Sequence, residues 1–277
     1  GADARVLLWR VDGTLVHTLQ MLTQVLAVAW SPDGAQLIIG AGNTVTFVEA
    51  QQATVLGSYT RHTAPVTALG WTHAAVPLAL SASEDKRALV WQGQTHQVQA
   101  SFARHTTPIL ALATLTDIVA TASLGGVVRI WSAITGQEVH GYWSDTAQAY
   151  QSLVFSPSGL LAVGGKDGMI RLWAQGSTCR LQQRDIFGLR CLDLPQRWQG
   201  HTGPIRAAAF SSDGDLLATG GDDHQLLLWS KMHQMPLLRH TMSEPITALS
   251  WSPTAPYLAV AARSQVTIYQ ISTEEEG

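Results

Sequence analysis

The clearest pattern of hydrophobic and polar positions lies between residues 201 and 230. His201-Thr-Gly-Pro-Ile-Arg-Ala-Ala-Ala-Phe210 predicts a strand entered from a turn, and Ser211-Ser-Asp-Gly214 predicts the tight turn that ends it. Leu216-Leu-Ala-Thr219 reads as a second strand, Gly220-Gly-Asp-Asp223 as the next turn, and Leu226-Leu-Leu-Trp229 as a third strand. A fourth, weaker strand follows before the next histidine. Glycine and aspartate supply the turns because glycine accepts left-handed backbone and aspartate bonds its own neighbours. Ser31-Pro-Asp-Gly34 and Ser156-Pro-Ser-Gly159 repeat the first turn, with proline where φ of roughly −65° is wanted.

The same grammar recurs along the chain. An aromatic closes a short alternating strand at Trp9, Phe47, Trp91, Trp131, Trp173, Trp229 and Tyr269, at steps of 38, 44, 40, 42, 56 and 40 residues. A second series, Trp30, Trp71, Thr114, Phe155, Phe210 and Trp251, keeps step with the first. Two series sharing one period mark a repeat architecture. These residues resemble the WD-repeat β-propeller family over nearly the whole chain, although the strand-closing tryptophan is never followed by aspartate. The resemblance implies an all-β fold, a β-propeller of four-stranded antiparallel blades around a central channel, with strands a to d from the centre outward.

The resemblance also implies a buried tetrad in some blades, made of His, Ser or Thr, Asp and Trp. Matching by offset gives His62, Ser81, Asp85 and Trp91, and again His201, Thr219, Asp223 and Trp229. An indole N–H and a buried carboxylate each need a partner, and histidine is expected to bridge them at roughly 1.5 to 3 kcal/mol per charge-assisted bond. A fourth unit has His105, Thr121 and Trp131, with Gly125 in place of the aspartate. The fifth keeps Asp167 and Trp173 but has Val163 and no histidine.

Strand counting refines the plan. Asp3 stands six residues before Trp9, the offset that also separates Asp85 from Trp91, Asp167 from Trp173 and Asp223 from Trp229. Residue 1 therefore falls inside a b–c turn, and the chain reads as two strands, five complete blades and three final strands. The expectation is one propeller domain over residues 1–277, seven-bladed with its first blade truncated, whose exposed first-blade edge promotes self-association. The alternative is a six-bladed ring in which residues 15–19 close the last blade. The 56-residue step places an insertion at about 176–191 in a c–d loop, and residues 272–277 form an acidic tail. Cys179 and Cys191 lie in that insertion, where a hairpin turning near Asp185 would set them face to face, either bridged or as free thiols.

Composition narrows the function classes. Of 277 residues, 46% are hydrophobic and 13% charged, against about 25% charged in an average soluble domain, which excludes a strongly charged disordered chain. A net charge of −3 with 17 basic residues and no basic stripe argues against nucleic acid as the partner. No apolar run approaches the roughly 20 residues of a membrane span, so no membrane is expected, and two cysteines suit a cytoplasmic protein. No CxxC, HExxH, GxSxG or GxxxxGK[ST] motif occurs. No cofactor and no metal are expected, because His62, His105, His201 and His240 read as one repeat position in four blades and cannot converge on an ion.

Recognition by this family uses the face bearing the d–a and b–c loops. By offset, Glu84, Leu124, Lys166 and Asp222 adjoin the b–c turns, while Thr67, Leu110, Gln151, Arg206 and Thr247 begin the a strands. Arg61, Arg104 and Arg239 each precede a histidine and are expected to form an arc, read either as binding residues or as solvated loop positions. The resulting expectation is a non-catalytic scaffold for a protein or peptide partner. The alternatives are a regulatory or sensing module of a larger protein, such as a bacterial signalling kinase, and a propeller hydrolase.

Overall fold

Short apolar segments cut every six to ten residues by Gly, Asp and Pro turns are too brief for helices, and the described residues form strands throughout. The computed structural model describes residues 1–143, 148–173, 182–185, 188–191, 196–230, 234–263 and 265–271. Strands β1 (Arg5–Trp9) and β2 (Leu15–Gln20) form a two-stranded sheet. Next comes a four-stranded sheet of β3 (Val25–Trp30), β4 (Gln36–Ala41), β5 (Thr44–Glu49) and β6 (Thr54–Tyr59). A second holds β7 (Val66–Trp71), β8 (Leu78–Ser83), β9 (Ala88–Gln92) and β10 (Val98–Phe102). A third holds β11 (Ile109–Leu115), β12 (Ile118–Ser123), β13 (Val127–Ser132) and β14 (Glu138–Trp143).

The fourth such sheet contains β15 (Tyr150–Phe155), β16 (Leu161–Gly165) and β17 (Met169–Trp173), then the separate hairpin β18 (Gln182–Asp185) and β19 (Gly188–Cys191), before β20 (Gln196–Gln199) returns to pair with β17. The fifth holds β21 (Ile205–Phe210), β22 (Leu216–Gly221), β23 (Gln225–Ser230) and β24 (Pro236–Thr241). Three strands close the series, β25 (Ile246–Trp251), β26 (Tyr257–Ala262) and β27 (Gln265–Gln270). The architecture is all-β, with the four-stranded antiparallel blades of a propeller. In the hairpin, Asp185 lies opposite Gly188 and Cys191 opposite Gln182. Cys179 itself and the acidic tail 272–277 lie outside the described residues.

The chain divides into two compact units, Gly1–Gly141 and Tyr142–Gly277. Within the first, β3, β7 and β11 stand side by side, and the cores lie between successive sheets: Val6, Val25, Leu37 and Ile39, then Ile38, Phe47, Trp71 and Trp91, then Leu80, Phe102, Ile109 and Trp131. Within the second, β15, β21 and β25 stack in the same way around Ile170, Trp198, Phe210 and Trp229, and around Leu226, Ile246 and Leu258. Polar side chains stitch neighbouring first strands together. Trp71 Nε1 donates to Ala29 O at 3.4 Å and Trp251 Nε1 to Ala209 O at 3.1 Å. Both reach exactly one repeat back along the chain.

One irregularity repeats in the three- and four-stranded sheets from β3 onward. The pairing of first and second strands slips after the opening residue, between Val25 and Ala27, Val66 and Ala68, Ile109 and Ala111, Tyr150 and Ser152, Ile205 and Ala207, and Ile246 and Ala248. Each slip is a β-bulge that leaves one residue without a ladder partner and re-aims its side chain.

Candidate functional site

The bulge residues are Leu26, Thr67, Leu110, Gln151, Arg206 and Thr247. The neighbouring turn between second and third strands is locked against the same edge. Glu84 N donates to Pro65 O, Leu124 N to Pro108 O, Lys166 N to Ala149 O and Asp222 N to Pro204 O, at 2.9 to 3.0 Å. Each of these four sheets thus has one bulge residue and one turn residue on a fixed backbone. Their chemistry differs from sheet to sheet. Glu84, Leu124 and Lys166 are exposed, Thr67 turns inward to donate to Ala82 O and Ile109 O, and Gln151 Oε1 is buried with no hydrogen-bond partner among the described residues. Arg206 grips Asp222 through Nε and Nη2, at 2.9 and 2.7 Å. Sequence offsets locate these positions, but the bulge that distinguishes them has no signature in residue type.

Beneath two of these edges lie relays that hold the turns. Trp91 Nε1 donates to Ser81 Oγ at 2.9 Å, Ser81 Oγ lies 2.8 Å from His62 Nε2, and His62 Nδ1 lies 2.8 Å from Asp85 Oδ2. A carboxylate only accepts, so Nδ1 carries the imidazole proton and Nε2 accepts from the hydroxyl. The hydroxyl, rather than histidine, therefore receives the indole. Asp85 also accepts from Thr63 N and Arg87 N, tying the loop before β7 to the turn after β8. The second relay is alike: Trp229 Nε1 to Thr219 Oγ1 at 2.8 Å, Thr219 Oγ1 to His201 Nε2 at 2.8 Å, and His201 Nδ1 to Asp223 Oδ1 at 2.9 Å.

Electrostatics follow from burial. Desolvation holds His62 and His201 below the ordinary histidine value, against the opposing pull of Asp85 and Asp223, so both rings are neutral near pH 7. Burial pushes the two carboxyls up, but hydrogen bonds from the imidazoles and from backbone N–H groups outweigh it and hold them low. His105 keeps half of the relay, with Nε2 2.8 Å from Thr121 Oγ1 and Trp131 Nε1 3.3 Å from the same oxygen. Its Nδ1 is buried without a partner among the described residues, where Gly125 replaces aspartate. Desolvation, assisted by the Arg129 charge, pushes His105 down to about 3.

Two buried arginines escape the offset reading. Arg129 and Arg171 stand two residues before Trp131 and Trp173, where the complete relays have Leu89 and Leu227. Arg171 binds Asp167 through both nitrogens, at 3.1 and 2.6 Å, and lies 5.4 Å from the Tyr150 ring centroid. Arg129 Nη1 donates to Glu138 Oε1. The signal was present: a charged residue inside an otherwise apolar third strand.

The arginine arc is corrected by register. His62, His105 and His201 each stand four residues before the first core residue of a β strand, Val66, Ile109 and Ile205, and that place in the last sheet belongs to Met242, whose sulfur accepts from Tyr269 OH. His240 instead meets the Tyr269 ring edge-on at 5.6 Å. Arg239 therefore sits within β24, where Nη1 donates to Gly200 O at 3.1 Å, and does not share the loop position of Arg61 and Arg104. Arg61 lines a cleft of about 560 Å³ with Tyr59, Trp91, His96 and Gln97, and Arg104 lies 3.9 Å from Glu138. Among the described residues no group of three or more His, Cys, Asp or Glu is placed to hold a metal ion, and no helix is long and apolar enough to cross a membrane.

Comparison with known proteins places these features among relatives. The family model described as "WD domain, G-beta repeat" matches residues 144–174 and 192–230, and the "Anaphase-promoting complex subunit 4 WD40 domain" matches residues 2–74. Telomerase protein component 1 of Rattus norvegicus is 25% identical, covering 82% of this chain and 10% of that protein. Pre-mRNA-processing factor 19 homolog 2 of Arabidopsis thaliana is 23% identical over 84% of this chain and 42% of its own length. Small ribosomal subunit protein RACK1 of Caenorhabditis elegans is 29% identical over 50% of this chain and 38% of its own. The chain spans less than half the length of each of these relatives.

Proposed function

The chain belongs to the WD-repeat β-propeller family, and from that premise we propose that it is a non-catalytic scaffold whose bulge and turn residues present a surface to a protein or peptide partner. The repeated bulge carries this reading. Within each unit it sets unlike side chains on a backbone fixed by hydrogen bonds, which is what a specific surface requires: rigid placement with little ordering entropy lost on binding. Glu84 in the first unit, and Lys166 and the Arg206–Asp222 pair in the second, supply charges for orientation. Cytoplasmic residence and a single domain over 1–277 belong to the same reading.

Affinity pull-down with wild type and with a Glu84→Ala, Lys166→Ala, Arg206→Ala triple variant tests it. Partner recovery falls severalfold while the unfolding midpoint stays within about 1 °C, since these are surface positions. Unchanged recovery overturns the surface assignment. A second reading, a sensing or regulatory module of a larger protein, is supported by the much greater length of the matched relatives.

A further inference from the structure

Two successive sheets of the first unit make the same turn after their third strand with different side chains. After Trp131, Gly136 N donates to Ser132 O and Ser132 N to Gln137 O, at 2.8 and 3.0 Å; after Trp91, His96 N donates to Gln92 O and Gln92 N to Gln97 O, both at 2.9 Å. His96 therefore stands where the next sheet has glycine, and both hold left-handed backbone, at φ of 56° and 66°. A residue with a Cβ is strained there, so the imidazole is kept at a cost. It is 9% exposed, stacks on Phe47 at 4.2 Å, and its Nε2 is buried with no hydrogen-bond partner among the described residues.

The sheets also meet differently at the two places. Phe102 lies flat on Trp131, at 4.8 Å and 1° from parallel, with both rings buried. Tyr59 has the place of Phe102, three residues before the repeat histidine, yet it stands 5.8 Å from Trp91 and 47° off parallel. Beside it opens the cleft of about 560 Å³ that Arg61, His96 and Gln97 also line. Charge differs too. Glu138, seven residues past Trp131, accepts from Arg129 and lies 3.9 Å from Arg104. The same place after Trp91 holds Val98, a wall of the cleft. Arg61, the counterpart of Arg104, thus faces no carboxylate, and its side chain makes no hydrogen bond or ion pair among the described residues.

We infer that this cleft is a docking site for an acidic peptide, one of whose carboxylates takes against Arg61 the place that Glu138 takes against Arg104. The neighbouring sheet specifies the occupant: the arginine is kept, the internal carboxylate is exchanged for valine, and a cleft opens where the rings would otherwise stack. A guanidinium selects a carboxylate through charge-assisted hydrogen bonds. A peptide group offers both N–H and C=O, so it suits the unpartnered His96 Nε2 in either tautomer. None of the bulge and turn residues lines the cleft, so the site goes beyond the surface proposed above and stands or falls separately from it.

The probes are acetyl-triglutamate amide and its uncharged twin acetyl-triglutamine amide, titrated into the full chain and followed by the NMR signals of the Trp91 indole and the His96 ring. The glutamate peptide shifts both saturably, and the glutamine peptide binds at least tenfold more weakly. Arg61→Gln weakens the glutamate peptide at least tenfold. Val98→Glu does the same by supplying the carboxylate from within, whereas Arg104→Gln leaves binding unchanged. All three positions are exposed, so unfolding midpoints stay at the wild-type value. Absence of a saturable shift, equal binding of the two peptides, or binding indifferent to Arg61→Gln overturns the site. So does an equal loss in Arg104→Gln, which would mean unspecific attraction to arginine, or an equal response to sodium acetate at matched carboxylate concentration, which would make any small carboxylate the ligand.

Discussion

The sheet of β7–β10 and the sheet of β11–β14 sit side by side in the first unit and differ at one buried carboxylate. In the former, Asp85 receives His62 Nδ1 and two backbone N–H groups, so every polar atom of the relay is used. In the latter, Gly125 stands where aspartate would be, His105 Nδ1 has no partner among the described residues, and an arginine, Arg129, has entered the third strand beside it. The difference teaches that the relay is dispensable to the blade, because strand packing alone builds the sheet, but its absence leaves a titratable ring stranded. The second unit repeats the lesson from the other side. There Asp167 lacks a histidine and takes Arg171 in its place.

The sharpest way to break the comparison is acid. The unfolded His105 ring titrates near the ordinary value of 6.5, whereas the folded ring sits at about 3. Between these values the unfolded chain takes up a proton that the folded chain refuses, so stability falls as pH drops through that window and is unaffected above it. The loss is on the order of 5 kcal/mol at its fullest. Urea denaturation at stepped pH shows a shallower decline in His105→Leu than in wild type; equal slopes would contradict the assignment. His62 and His201 act in the same direction, but their aspartates oppose the shift. The aspartates add a loss of their own as pH falls below about 3.8, their unfolded value, because hydrogen bonds hold them low when folded.

Next in size is Asp223→Ala, which strands His201 Nδ1 and Thr202 N together and costs about 3 kcal/mol in denaturant midpoint measurements. Arg171→Met removes the charge facing Asp167 but leaves that carboxylate partly solvated, so about 2 kcal/mol is expected in the same assay. The smallest change sharpens the contrast by erasing it. Gly125→Asp supplies the missing acceptor, and His105 then titrates closer to the ordinary range by NMR, with a stability gain of about 1 kcal/mol. Thr107, 3.0 Å from the new Cβ, must shift slightly. A His105 that still titrates near 3 would show that the gap is not shaped for a carboxylate.

Much of the fold was legible along the chain. The periodic aromatics and the Asp-Gly and Pro-containing turns fix where strands begin and end, and the described residues form the two, five times four and three strands that the pattern predicts, with β18 and β19 added inside the insertion. Register was less legible. The histidine of the last unit misleads because the loop before β25 differs in length, and only the core residue Ile246 reveals Met242 as the true counterpart. Arg129 and Arg171 were written into apolar strands, and although Asp167 stands only four residues before Arg171, the pattern along the chain does not show that either arginine is buried.

By itself the sequence determined the period, the strands, the turns and the residues available for each relay, because these depend on neighbours within a few positions. Tertiary structure alone decided which polar atoms find partners and which faces stay bare. Trp71 and Trp30 are the same residue at the same repeat position, and one is buried and bonded while the other lies open. The partner that settles the matter lies about one repeat away, where local pattern has no reach.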